Sequence, residues 1–85
     1  MKKADKMFEK LGYKKVEEGP IVIAYEKYEA QGCFTKSIDF YRKVSGNHLV
    51  MSYQKEVNQD GFSNSVGITI PEIKAIRRKL KELKW

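Results

Sequence analysis

The sequence predicts a two-layer α+β domain: an N-terminal helix, a three- to four-stranded antiparallel sheet and a C-terminal helix. Three observations lead there. Apolar residues recur at helical spacing near both ends of the chain. The stretch between them holds three runs rich in β-branched and aromatic residues, with period-two alternation. The links between those runs are of hairpin length, which favours an antiparallel meander. Two amphipathic helices and one sheet then pack with both helices on one sheet face. Residues 1–85 read as a single domain with a modest core.

The elements follow in order. Ala4, Met7, Phe8 and Leu11 lie at i, i+3, i+4 and i+7, on one side of a short helix. Gly12 is its expected stop, because glycine accepts the left-handed conformation that closes a helix, and Tyr13 folds back on the last turn. YKKVEEGP reads as a turn. IVIAYEKY is the first strand, with Ile21, Ile23 and Tyr25 on one face and Val22, Ala24, Glu26 and Tyr28 on the other. After a break at EAQG, FTKSIDFYRK alternates next. Phe34, Ile38 and Phe40 share a face that Lys36 interrupts, and Thr35, Ser37, Asp39 and Tyr41 share the opposite one. VSGN is a turn, since glycine and asparagine tolerate positive φ. HLVMSYQKEV is the third strand, with Leu49, Met51 and Tyr53 expected inward and His48, Val50, Ser52 and Gln54 outward. NQDGFSNS is a polar loop in which Asp60-Gly61 suits a tight turn, and VGITI is either a fourth strand or an extended lead-in. Pro71 fits a first helical turn, where its missing N–H has no cost. Ile70, before it, is expected to be extended. The last helix runs from about Pro71 to the end, with Ile73, Ile76, Leu80 and Leu83 as its apolar stripe.

Composition bounds the function. The chain is 41% hydrophobic and 33% charged, with no apolar run near the ~20 residues that span a bilayer. The basic start is not followed by the apolar stretch of a signal peptide, so a cytoplasmic location is expected. Cys33 is the single cysteine and has no internal disulfide partner. Cys33, His48 and Asp39 are the only candidates for a nucleophile, a base and an orienting group, and they sit in no catalytic motif. No enzymatic role and no catalytic residue is assigned. One cysteine and one histidine fall short of four zinc ligands, and no glycine-rich phosphate loop is present; no cofactor or metal is expected. Cys33 reads as a small apolar filler at a strand start, His48 as an exposed residue after a turn, and Trp85 as packed back on the core.

Two surfaces are candidates for binding. The net charge is +6, and residues 71–85 carry six basic residues against two acids. On a helical wheel Lys74, Arg77, Lys81 and Lys84 lie along one flank with Arg78 beside them, and Lys79 lies on the opposite flank. Lys74, Arg77, Arg78 and Lys81 form either a solvated face, in which the helix dipole favours Lys81 and the other three pair with acids such as Glu17, Glu18 or Asp39, or a nucleic-acid or other anion-binding stripe that contacts phosphates. The second surface is the sheet face away from the helices. There Val22, Tyr28, Tyr41 and Val50 form either an ordinary wet face or a docking patch for a protein, because tyrosine buries much area at little entropic cost.

ADKMFEKLGY at the front and ITIPEIKAIRRKLKELKW at the back, with SIDFYRK and SYQKE between, resemble a group of small phage and prophage proteins of Gram-positive bacteria. Members start with an ADEMFEKLGY-like helix and end with an ITMxELxAIxxKxxELGW-like helix. Leu11, Gly12 and Tyr13 match the front, and Ile73, Ala75, Ile76, Lys79, Glu82, Leu83 and Trp85 match the back. Lys84 stands where the family has glycine, and the NQDGFSNS segment departs from the shorter middle of most members. The resemblance implies an α-β-α order and a phage-linked context in the bacterial host cytoplasm. It implies no activity and carries over no catalytic residue. The expected function is a non-enzymatic accessory protein that acts as a protein-interaction module. Its partner is a host or phage protein, or a second copy in a homodimer. A nucleic-acid-binding module is the alternative, and no membrane partner is expected.

Overall fold

A computed structural model of the chain describes residues 2–29, 33–56 and 63–85. Helix α1 spans Lys3–Lys10. Five strands follow, β1 (Lys14–Glu18), β2 (Val22–Glu29), β3 (Phe34–Tyr41), β4 (Leu49–Glu56) and β5 (Ser63–Ser65), and helix α2 spans Ile70–Leu83. The strands form one antiparallel sheet in the order β1-β2-β3-β4-β5, a simple meander. Both helices cover one face of it, and the predicted α+β architecture is the one observed.

The sheet has two strands that the pattern did not announce. β1 lies in the stretch read as a turn. It carries four charges and one valine, and it pairs with β2 across a bulge between Lys15 and Glu17. β5 lies upstream of VGITI, whose residues 66–69 are not a strand. The Asp60-Gly61 turn and most of the EAQG break lie outside the described residues. Helix α2 begins at Ile70, one residue before Pro71.

The core sits between the helices and the middle of the sheet. Phe8 stacks on Tyr25 at 4.0 Å between ring centroids and meets Tyr13 and Phe40 edge-on. Ile38, Ala75 and Ile76 complete it, with Met7, Leu11, Ile23, Val50, Leu80, Leu83 and Trp85 packed around them. Each buried Phe, Ile or Leu in such a core contributes roughly 1.5–3 kcal/mol. Both helices close alike. Gly12 (φ 93°) sends its N–H to the Glu9 carbonyl, and the Tyr13 N–H goes to Phe8. Lys84 (φ 60°) sends its N–H to Lys81, and the Trp85 N–H goes to Leu80. Each is the double closure of a Schellman motif, with an aromatic residue folded back on the last turn.

Charged residues also hold the two layers together. Glu72 is 1% exposed and lies against the sheet. Its carboxylate accepts from Lys36 Nζ at 2.8 Å and from the Tyr13 hydroxyl at 2.7 Å. It also forms a capping box with Thr69 at the start of α2. Burial alone would raise its pKa, but the hydrogen bonds from Lys36, the Thr69 N–H and Tyr13 outweigh it and hold the group at about 2. Lys36, which interrupts the apolar alternation of β3, is therefore an interior residue. Asp5 forms a second cluster, accepting from the Tyr25 hydroxyl and from Lys15, with Lys79 Nζ 3.7 Å away. Lys79, expected on the flank opposite the other cations, is buried above the Tyr25 ring. The fully buried residues of α2 are thus Glu72, Ala75, Ile76 and Lys79; Leu80 and Leu83 of the expected stripe pack beside them, whereas Ile73 is 46% exposed.

Candidate functional site

The open sheet face is built by the register of four strands. Residues directly opposite each other share a face. The pairings Ile23↔Phe40↔Val50 and Tyr25↔Ile38↔Ser52 therefore put Val50 and Ser52 under the helices. Val50 is not an interface residue; it packs against the core beside Leu80 and Trp85. The expected phase of this strand is reversed. Leu49, Met51 and Tyr53 point to the open face, and the register with β3 decides it.

The open face reads in rows across the strands. Val22, Tyr41 and Leu49 form the first, and Glu17, Ala24, Asp39 and Met51 the second. Lys14, Glu26, Ser37, Tyr53 and Ser65 form the third, and Tyr28, Thr35 and Lys55 the fourth. No helix covers this face among the described residues. Leu49 and Met51 are 42% and 45% exposed, and Tyr28 is 74% exposed at the far end. Val22, Tyr28 and Tyr41, three of the four predicted docking residues, do share the face.

Its centre is polar and closed. Asp39 is only 2% exposed, although no helix lies above it. Its carboxylate accepts from the Ser37 hydroxyl at 2.6 Å, from the Tyr53 hydroxyl at 2.8 Å and from the Tyr41 hydroxyl at 3.2 Å. The two tyrosine rings close over it. Burial and the neighbouring carboxylate push the Tyr53 hydroxyl up to about 12 and raise that of Tyr41. Both stay protonated at neutral pH and keep donating. Asp39 thus fixes Tyr41 at the apolar end of the face and Tyr53 in the polar row beyond it.

The helical layer presents a different surface. Lys74, Arg77 and Lys81 are exposed, with no carboxylate within 4 Å among the described residues. Arg78 alone of the four pairs, with Glu82 of its own helix at 3.3 Å. The expected partners are elsewhere: Glu18 pairs with Lys15, and Asp39 is on the opposite sheet face. The stripe is the ridge of α2 directly away from the core, not its flank.

The remaining chemistry-bearing residues do not converge. Cys33 is exposed, not an apolar filler. His48 is not a free surface residue: its ring stacks on Trp85 at 4.1 Å, and its Nδ1 accepts the Lys43 N–H. Asp39 lies on the other sheet face from both helices. Among the described residues no three His, Cys, Asp or Glu side chains are grouped to hold a metal, and no helix is long and apolar enough to cross a membrane. A cleft of about 680 Å³ opens between α1 and β1, but the Asp5, Lys15, Tyr13 and Tyr25 groups that line it already bond to protein partners. Compared with family models, curated proteins and solved structures, the chain matches none.

Proposed function

We propose that this chain is a small non-enzymatic binding module that pairs with a second copy of itself through the open face of the sheet. The observation that carries the reading is the cluster of exposed Leu49 and Met51 beside half-buried Val22 and Tyr41, with its tyrosine held by the buried Asp39. Large side chains fixed before contact lose little entropy on binding. Two alternatives for self-association are disfavoured. The sheet edges are blunted: β1 is bulged and charged, and β5 is three residues long. The helical surfaces of two copies would repel, since both are cationic. The open face is close to balanced, with Lys14 and Lys55 against Glu17, Glu26 and Asp39. Three strands of eight residues flanked by the shorter β1 and β5, at ~4.8 Å spacing, make it at most roughly 20 by 25 Å, about 500 Å² in projection and so in the range of weak rather than permanent interfaces. An accessory role in a phage-infected bacterial cytoplasm rests on the resemblance alone.

Sedimentation velocity across protein concentration tests it. Dimer is expected at roughly 10–100 μM, the range of a weak symmetric interface. Met51→Lys is expected to give monomer with a nearly unchanged melting curve, because Met51 is outside the core and its cross-strand neighbour Asp39 is acidic. A wild-type chain that stays monomeric throughout overturns self-pairing and leaves a foreign protein as the occupant of the face.

A further inference from the structure

One surface stands out for the sorting of its charges. The helices carry four carboxylates, Asp5, Glu9, Glu72 and Glu82. Glu72 is buried against Lys36, and Asp5 is held by Tyr25 and Lys15. Glu82 turns to the Ala4 N–H, at 3.0 Å, and to Arg78. Only Glu9 is exposed. The cations go the other way: Lys3, Lys6 and Lys10 of α1 and Lys74, Arg77 and Lys81 of α2 are all exposed. The helices pair antiparallel, since Ala4 meets Glu82 at one end and Tyr13 meets Glu72 at the other. Their outward sides therefore form one layer with six exposed cations and one exposed anion.

We infer that this two-helix layer is a binding surface for the phosphate backbone of a nucleic-acid duplex, read without base selectivity. Three features favour that occupant. The cations of α2 form a straight row about 10 Å long from Lys74 to Lys81, at 1.5 Å rise per residue. Backbone phosphates offer a comparably continuous line of charge. The cations of the row have no carboxylate to lose, so binding breaks no internal ion pair. No aromatic side chain among the described residues is exposed on either helix, so base stacking of the kind that holds single strands is absent here. The α1 lysines extend the surface beyond the C-terminal stripe that the sequence singles out. This inference is independent of pairing through the sheet, which uses the opposite side of the molecule.

Fluorescence anisotropy with a labelled random-sequence DNA duplex, titrated at several salt concentrations, tests it. Binding at low salt is expected, with log K falling against log salt at a slope of about −3 to −5, since each neutralised phosphate contributes about −0.9. The triple substitution Lys74→Glu, Arg77→Glu and Lys81→Glu should weaken low-salt binding at least about tenfold and flatten the slope by about 3, while circular dichroism stays unchanged. A control on the open sheet face, Lys14→Glu and Lys55→Glu, should have a much smaller effect for each charge reversed. Single Lys74→Gln and Lys81→Gln changes, which leave the fold no reason to fail, should each flatten the slope by about 1. Absence of binding at low salt, an equal loss in the control, or tighter binding to anionic phospholipid vesicles than to the duplex each overturns the proposal.

Discussion

Lys84 shows how one side chain can sit against its backbone. At φ 60° and ψ 40° it occupies the left-handed region, the only non-glycine residue among those described with positive φ. An L-residue with a Cβ there costs about 1–2 kcal/mol relative to the right-handed region. The closing hydrogen bonds of α2 and the return of Trp85 onto Leu80 hold it in place. Gly12 does the same task at the end of α1 without that cost. Lys84→Gly should therefore stabilise the protein by about 1 kcal/mol, reduced somewhat by the greater freedom of glycine in the unfolded chain. For a domain of this size that is a rise in melting temperature of about 4–8 °C. An unchanged or lower melting temperature for Lys84→Gly would show that the surroundings already relieve the strain.

At the level of elements, Glu72 ties the start of α2 to β3 and to the end of α1. Glu72→Gln should cost roughly 3–5 kcal/mol in urea unfolding, because it leaves Lys36 charged, buried and short of a partner. Replacing both, Glu72→Gln with Lys36→Met, should recover much of that loss, since no uncompensated charge then remains. The pH dependence has a definite sign. The folded-state pKa is depressed from 4.5 to about 2, so the stabilisation is complete above about pH 5 and is lost as pH falls towards 2. Wild type should lose on the order of 3 kcal/mol across that window by this group, and Glu72→Gln should show a flatter acid limb. These interior charges also explain what was legible in the sequence. Periodicity placed α1, α2, β2 and β3 well, because their apolar residues dominate one face. The interior roles of Lys36, Glu72 and Lys79 were not legible, because a charge's partner cannot be seen in its own segment; Lys36 and Glu72 are 36 positions apart. KKVEE gave no strand signal, having a single apolar residue. In HLVMSYQ, consecutive positions 49–51 are all apolar, so both phases of the strand fit the pattern. Pairing with β3 chose Val50 for the core and gave Leu49 and Met51 to the candidate face. The lysines of α1 opposite Phe8 are spread among apolar and acidic neighbours, so they give no charge run of the kind that marks residues 71–85.

The whole molecule is two-sided. One side is a helical layer with six exposed cations, and the other is a nearly neutral sheet face with tyrosines locked over Asp39. A net charge of +6 on 85 residues acts over the whole body, whichever face is engaged. Two copies joined through their sheets would carry their cationic layers outward, as far apart as the pair allows, yet would still repel at long range. The Debye length shrinks from ~30 Å at 0.01 M salt to ~8 Å at 0.15 M, so added salt removes most of that repulsion while leaving apolar contact intact. Attraction to a duplex depends on counterion release and weakens over the same range. The two associations should therefore respond to salt with opposite signs. Raising sodium chloride from about 0.02 to about 0.2 M should tighten the dimer measured by sedimentation and loosen the duplex complex measured by anisotropy. The cation-to-glutamate triple substitution on α2 should remove most of the salt response from both. If dimer and duplex binding instead weaken together as salt rises, the sheet contact is itself electrostatic, and the division of labour between the two faces is wrong.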